Sequence, residues 1–272
     1  LLLADADVTY LISDGTKQAL AVDLQNAGIT IFNLTEMAAE TAVDNPNLPI
    51  DPTEPAALSY TSGSTGSPKG VVHTHRHLWH DTAASNEFFH IGPQDRFLHF
   101  VLGFEFFISM ATGATMVPFD LHRQSMIELA ETFDHLGITS VRIKPTVFRR
   151  LMDVLPVDKR FPALRLLHMV GEPVYQGDIT HFRQHTPAAC LLVGNLGAME
   201  ILNFRYYLLD QQSALRGNRL PTGYAMAGME VAVLDEHGNA VGTNQIGEIV
   251  VKSRYLSPGY WQRPELTAEK FF

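Results

Sequence analysis

Between Leu78 and Pro187 the sequence alternates two periodicities, and this alternation restricts the fold more than any other feature of the chain. Stretches with apolar residues at helical spacing, such as Met126 to Leu136 and Val147 to Leu155, are interleaved with short extended runs such as Ser140 to Ile143 and Leu164 to Val170. Helical and extended segments taken in turn bury their apolar faces together when the strands run parallel and the helices cover the sheet. The fold class is therefore α/β, with layered parallel sheets and flanking helices. Upstream, Val8 to Ser13 ends at the turn dipeptide Asp14-Gly15, and a polar segment separates it from Ile29 to Leu34, which reads as strand, helix, strand. The breaker-rich segment Asn45 to Pro55 is an exposed connection. After Pro221 the short β runs Glu230 to Leu234 and Glu248 to Val251 are split by a turn over Asp235 to Asn239. These signals divide the chain into a partial α/β subdomain with its linker at 1–54, an α/β subdomain at 55–219, and the start of a β-rich subdomain at 220–272.

Composition narrows the function classes. The chain has 272 residues with an apolar fraction of 46%, and no apolar run approaches the roughly 20 residues that a membrane-spanning helix needs. Its 20 basic and 29 acidic side chains leave a net charge of −9, so no global basic field collects nucleic acid. A small-molecule or protein partner is expected, and neither nucleic acid nor membrane. Cys190 is the only cysteine, which excludes an internal disulfide framework or a thiolate metal cluster and fits a reducing, cytoplasmic setting. It sits in the apolar run Cys190 to Val193 and reads as a buried structural thiol.

The chemistry concentrates in Tyr60-Thr61-Ser62-Gly63-Ser64-Thr65-Gly66-Ser67-Pro68-Lys69-Gly70-Val71-Val72. Ala56 to Thr61 is a candidate strand, whereas Ser62 to Gly70 is too rich in Gly and Ser for either a helix or a ladder. Glycines let the backbone approach an anion, hydroxyls and free N–H groups donate to phosphate oxygens, and a lysine supplies a point charge. The common P-loop order is excluded, because Pro68 precedes Lys69 and Gly70 follows it. A flexible linker is the bland alternative, but a linker is not set between two β-like runs with a Pro-Lys-Gly exit.

Tyr60 through Gly70 resembles the phosphate-binding signature of the adenylate-forming superfamily, which includes acyl-CoA synthetases, luciferases and the adenylation domains of nonribosomal peptide synthetases. Gly113 to Pro118, Gly171-Glu172-Pro173, Gly197-Ala198-Met199-Glu200 and Gly247-Glu248-Ile249 resemble further core motifs in the same order, so the likeness covers nearly the whole chain. The exit Arg254 to Trp261 with Pro264 to Thr267 is most similar to the peptide-synthetase branch. The resemblance implies ATP and Mg²⁺ as cofactors and a carboxylic or amino acid as substrate. The acid is activated as an acyl-adenylate with release of pyrophosphate, then passed to a carrier-protein phosphopantetheine thiol. CoA as acceptor in a free-standing ligase, or a degenerate nucleotide-binding module, are the alternatives.

By the same resemblance Ser62, Gly63, Ser64, Thr65 and Gly66, following Thr61, wrap the β- and γ-phosphates, and Thr65 and Lys69 supply catalytic side chains. Glu200 matches the Mg²⁺-binding carboxylate, a hard oxygen ligand suited to that ion. Gly171, Glu172, Leu196, Gly197 and Met199 border the nucleotide, while His168, Val170, Asn195, Asn203 and Phe204 fall near the acyl pocket. Two positions depart from the family: Leu196 replaces an aromatic residue that stacks on adenine, and Met199 replaces a threonine that contacts the α-phosphate. A thioether cannot donate a hydrogen bond.

The region Leu98 to Met110 is also shorter than the family's segment carrying an acidic residue for the α-amine; a missing loop accounts for this better than Glu105 standing in for that acid. The chain stops at Phe272, ahead of the family's small domain with its catalytic lysine, and so reads as a core fragment that is inactive alone. His73, His75 and His77 alternate, with His80 behind, and on a strand the first three share a face as metal ligands. The family carries a similar His-rich passage without zinc, so packing is the expected role.

Overall fold

A computed structural model describes residues 2–16, 18–36, 44–61, 68–100, 103–104 and 106–272, with only the backbone given at 18–21. In chain order the elements are α1 (Leu2–Asp5), β1 (Tyr10–Ser13), α2 (Gln18–Asn26), β2 (Thr30–Asn33), β3 (Pro55–Thr61), β4 (Lys69–Thr74), α3 (His75–Phe89), β5 (Arg96–His99), α4 (Phe106–Thr112), β6 (Thr115–Pro118) and α5 (Met126–His135). There follow β7 (Ser140–Ile143), α6 (Pro145–Val154), β8 (Leu166–Met169), α7 (Gln176–His185), β9 (Leu191–Ala198), β10 (Leu202–Leu209), β11 (Tyr224–Ala225), β12 (Glu230–Leu234), β13 (Glu248–Lys252) and α8 (Pro264–Lys270). They form two compact units, one of Leu1–His75 with Pro258–Phe272 and one of Arg76–Ser257.

In the unit Arg76–Ser257 a mixed sheet runs in the order β11-β10-β9-β8-β7-β5-β6. The strands from β9 to β6 are parallel, as the alternation of periods predicts, and β10 and β11 extend the sheet antiparallel. Successive side chains point to opposite faces of a strand. On one face Leu98, Val141, Leu167 and Leu192 pack with Phe133 of α5, Phe148 of α6 and Phe182 of α7. On the other, Phe97, Leu166, Val193 and Tyr206 pack with Ala84 and Phe89 of α3 and Ile108 of α4. Helix starts are fixed locally: Ser125 and Glu128 exchange hydrogen bonds in a capping box at α5, and Pro145 opens α6 where no N–H is required.

The amino-terminal ends of the parallel strands are held by one acid. Arg165 donates from Nε to Asp95 Oδ1 at 2.7 Å and from Nη2 to Oδ2 at 2.5 Å, while Thr139 Oγ1 donates to Oδ1 at 2.7 Å. This bidentate geometry ties the entries to β5, β7 and β8 together at the end remote from the loops described below. Beyond the sheet, β12 and β13 form an antiparallel pair joined through the expected turn, where Asp235 Oδ1 accepts from the backbone of His237 and Asn239. Cys190 is fully buried, and burial pushes its thiol up to about 12, which keeps it protonated as a packing group.

In the other unit β1 and β2 pair in parallel and β3 and β4 form an antiparallel hairpin. Segment 258–272 returns to that hairpin: Trp261 N donates to Gly70 O at 2.7 Å and Val72 N to Gly259 O at 3.1 Å. The hairpin corrects one expectation, because Lys69 and Gly70 do enter a ladder, opposite Thr61 and Tyr60. Glycine fits there because a Cβ on Gly70 would lie 3.2 Å from the Tyr60 ring and 3.3 Å from Trp261 Cβ.

Candidate functional site

The β3–β4 pairing ends with Thr61 opposite Lys69, at one end of a two-stranded hairpin. Pro68 cannot donate to a ladder, which suits its place just before the first residue of β4. Lys69 Nζ lies 5.6 Å from the centroid of the Tyr260 ring, a cation–π contact that orients the ammonium at the end of the hairpin. Ser62, Gly63, Ser64, Thr65 and Gly66 lie outside the described residues, as does Glu105.

The histidines that follow do not share a strand face. β4 ends at Thr74 and α3 begins at His75. His73 is buried with Nε2 2.5 Å from Ser59 Oγ, His75 is exposed, and His80 stacks on Tyr255 with centroids 3.7 Å apart. Among the described residues no group of His, Cys, Asp and Glu side chains is placed to hold a metal ion. Burial and, to a lesser extent, the nearby His80 lower His77 to about 4, despite an opposing hydrogen bond with the Ile201 backbone.

In the unit Arg76–Ser257 the remaining candidates gather beyond the carboxyl ends of the parallel strands, the edge where open α/β sheets bind ligands. β8 ends at Met169, and Val170 leads into Gly171, whose φ of +77° favours glycine. The Glu172 side chain turns to the start of α6, where its Oε2 accepts from Thr146 N at 3.0 Å and Thr146 Oγ1 at 2.5 Å. A carboxylate at a helix amino terminus is stabilised there, and the Thr146 contact holds Glu172 below its ordinary value.

β9 continues past the end of β8, carrying Asn195, Leu196 and Gly197 into a hairpin with β10. Ala198 pairs with Leu202, and Ile201 N donates to Ala198 O at 3.0 Å, so Met199 and Glu200 sit at the hairpin tip. Leu202 adopts φ of +59°, a conformation uncommon for a branched side chain. A Cβ on Gly197 would lie 2.4 Å from Leu202 O, so this closure requires glycine. The Glu200 carbonyl accepts from Ser257 N at 2.9 Å, which fixes the backbone under its carboxylate.

Below this edge lies a narrow cavity between α3, α4 and the sheet, lined by Asp81, Ser85, Phe89, Phe97, Phe104, Arg142, His168 and Tyr206, among others. Of the five acyl-pocket candidates, His168 lines it directly. Asn203 reaches its rim, donating from N and Nδ2 to Asp81 Oδ1 at 3.2 and 3.0 Å, and Asn195 Nδ2 donates to Asn203 Oδ1. Phe204 packs in the apolar cluster on that face, and Val170 lies half-buried at the strand end. Burial, reinforced by the charge of Arg142, holds His168 well below its ordinary value, so its ring is neutral. Sequence reasoning missed Asp81, Ser85, Arg142 and Tyr206. A charged residue inside Ser140-Val141-Arg142-Ile143 was the available signal. A separate open depression lined by Arg205, Arg216 and Tyr224 contains none of the sequence-predicted residues.

Comparison with known proteins places this architecture. The profile of the family described as "AMP-binding enzyme" matches residues 2–261. Surfactin synthase subunit 1 of Bacillus subtilis (strain 168) is 28% identical over 276 residues, which is 98% of this chain and 8% of that protein. The L-proline--[L-prolyl-carrier protein] ligase of Streptomyces coelicolor is 28% identical over 293 residues, 97% of this chain and 55% of that one. The crystal structure of ATP-bound MatB from Rhodopseudomonas palustris superposes with a TM-score of 0.82 at 23% identity, covering 100% of this chain and 56% of that one. The chain thus spans little more than half of the smaller proteins it resembles, and among the described residues no helix is long and apolar enough to cross a membrane.

Proposed function

We propose, from the premise that this chain belongs to the AMP-binding enzyme family, that it is the nucleotide- and acid-binding core of a ligase that activates a carboxylic acid as its acyl-adenylate. The observation that supports this reading is the β3–β4 hairpin, which sets Thr61 and Lys69, the two ends of the Ser/Thr/Gly segment, opposite each other, with the Lys69 ammonium held near the Tyr260 ring. The donor chemistry fits a polyphosphate: hydroxyls and backbone N–H groups of Thr61 to Gly66 for the oxygens, and the Lys69 ammonium for the charge. When bound, ATP supplies an electrophilic α-phosphorus with a pyrophosphate leaving group, and Mg²⁺ offsets the charge of both.

The chain's own residues then have separable tasks. Thr65 and Lys69 stabilise charge accumulating on the departing pyrophosphate. Glu200, a hard oxygen donor at a hairpin tip with a fixed backbone, holds the metal. Gly171 and Glu172 shape the nucleotide pocket through backbone and helix capping, and Leu196, Gly197 and Met199 line its other side. The cavity lined by His168, with Asn203 bonded to Asp81 at its rim, takes the acid.

The acyl group then passes to a thiol. Similarity to surfactin synthase and to a ligase named for a carrier protein favours phosphopantetheine on a carrier protein over CoA. The test is acid-dependent exchange of labelled pyrophosphate into ATP by the full-length protein, followed by transfer to a carrier protein or to CoA. Exchange with at least one acid is expected. ATP binding without exchange for any acid would instead identify a nucleotide-binding module that does not adenylate.

A further inference from the structure

The chain that leaves β8 is tied down residue by residue. Val170 N donates to Ile143 O at 3.0 Å, and Gly171 then turns with φ of +77°. Glu172 is held by the backbone and hydroxyl of Thr146 at the start of α6. One turn further along that helix, Arg149 donates from Nη2 to Pro173 O at 3.3 Å. Leu220 N donates to Val174 O at 2.9 Å, Tyr175 N to Asp178 Oδ2 at 2.8 Å, and Gln176 N to Asn218 O at 3.1 Å. Connections of this kind are ordinarily the mobile part of a fold, whereas this one is a fixed strap.

Two of its ties come from one face of α6, since residues three apart on a helix are neighbours. Arg149 is itself locked: Nε donates to Asp178 Oδ1 at 2.7 Å and Nη2 to Oδ2 at 2.8 Å, and the guanidinium lies 5.7 Å from the centroid of the Tyr175 ring. The Asp178 side chain is 2% exposed, so the fork is set by a buried acid and reaches Pro173 from a defined position. Gly171 is exposed, and a Cβ added to it would meet no described atom within 4 Å, so the strap's first turn faces open space.

Resting on the adenylation reading above, in which Gly171 and Glu172 border the nucleotide, we propose that Arg149 and Thr146 are positioning residues for the nucleoside, holding the Gly171–Pro173 backbone where the base packs. A flat ring gains packing only against a surface already at the right separation, because a gap of about 0.5–1 Å forfeits a quarter to a half of the dispersion attraction. Preorganising that surface raises affinity through side chains that act only by way of the backbone. The phosphates are assigned to Lys69 in the other unit, so the two contributions separate by ligand.

The experiment titrates the full-length protein and its variants with AMP, ATP and inorganic tripolyphosphate, and follows pyrophosphate exchange. Arg149→Met and Thr146→Val should each weaken AMP and ATP alike, by roughly three- to tenfold, the worth of a lost hydrogen bond, with tripolyphosphate affinity unchanged. KM for ATP should rise with kcat nearly unchanged, and Thr146→Ser, which keeps the hydroxyl, should bind as wild type does. Equal losses for tripolyphosphate overturn the proposal, by making these contacts general support for the fold. Unchanged AMP affinity in folded variants overturns it too and leaves adenylation standing. A wild-type protein that binds neither AMP nor ATP overturns both. Arg149→Met leaves Asp178 buried without its counter-charge, and if that variant does not fold, Thr146→Val against Thr146→Ser decides the matter.

Discussion

Lys69 and Met199 mark the extremes of what single side chains tell about the proposed chemistry. Lys69 is a strand residue whose ammonium is oriented by the Tyr260 ring at the end of the hairpin, and the proposed function gives it the β- and γ-phosphates and not the nucleoside. Lys69→Ala should therefore weaken ATP binding by about tenfold to a hundredfold while AMP affinity changes little, measured by titration of both nucleotides. Equal losses for the two would remove Lys69 from that role. Met199 sits at the β9–β10 hairpin tip beside Glu200, where a thioether offers no donor. Met199→Thr puts a hydroxyl there, and one charge-assisted hydrogen bond of about 1.5–3 kcal/mol corresponds to roughly ten- to a hundredfold in rate. Faster pyrophosphate exchange at saturating acid is the expected result. An unchanged rate with the fold intact would mean that the α-phosphate contact comes from another residue.

At the scale of elements, the carboxylate of Asp95 gathers the entries of β5, β7 and β8 through Arg165 and Thr139. Burial alone would raise its pKa, but the hydrogen bonds from Arg165 and Thr139 more than reverse this and lower it from 3.8. A depressed acid stabilises the fold above its unfolded value and loses that contribution as pH falls through its folded value. Because Arg165 is 37% exposed, Asp95→Ala should cost about 1–3 kcal/mol at neutral pH. The gap between variant and wild type should narrow below about pH 4, as denaturant melts at several pH values would show. The strands tied here were legible beforehand: Ser140 to Ile143 and Glu230 to Leu234 form as read, because short branched apolar runs between breakers leave little choice. Lys69 and Gly70 were placed outside any ladder because glycine content was weighed above pairing, and the packing of Tyr60 and Trp261 around Gly70 is a long-range fact. The segment Thr61 to Gly70, the Gly197 to Glu200 motif and His168 stood out through resemblance. Asp81, Ser85, Arg142 and Tyr206 did not, since α3, β7 and β10 are brought to one cavity only by the fold.

For the molecule as a whole, buried neutral histidines make acid the natural solvent stress on the unit Arg76–Ser257. His77 is 1% exposed and lowered to about 4, chiefly by burial, and His168 at 2% exposure is held well below its ordinary value by burial and by Arg142. The faces around His77 also present the half-buried His80, itself lowered by burial, while those around His168 present Arg142 and the Tyr206 hydroxyl. In the unfolded chain both histidines titrate near 6.5, so between about pH 6.5 and pH 4 the unfolded state binds protons that the folded state refuses. Stability therefore rises with pH across that window and is fully present above it, the reverse of a histidine stabilised by an acidic partner. If both groups stay neutral, lowering pH from 7 to 5 should remove about 2–4 kcal/mol, in addition to the contributions of the remaining titratable groups. Denaturant unfolding at closely spaced pH values measures this directly. His168→Gln keeps a polar side chain without the titration and should flatten the slope between pH 6.5 and 5, whatever it costs at pH 7. A variant as steeply pH-dependent as wild type would show that His168 takes up its proton in the folded state, and the neutral ring beside Arg142 would then be wrong.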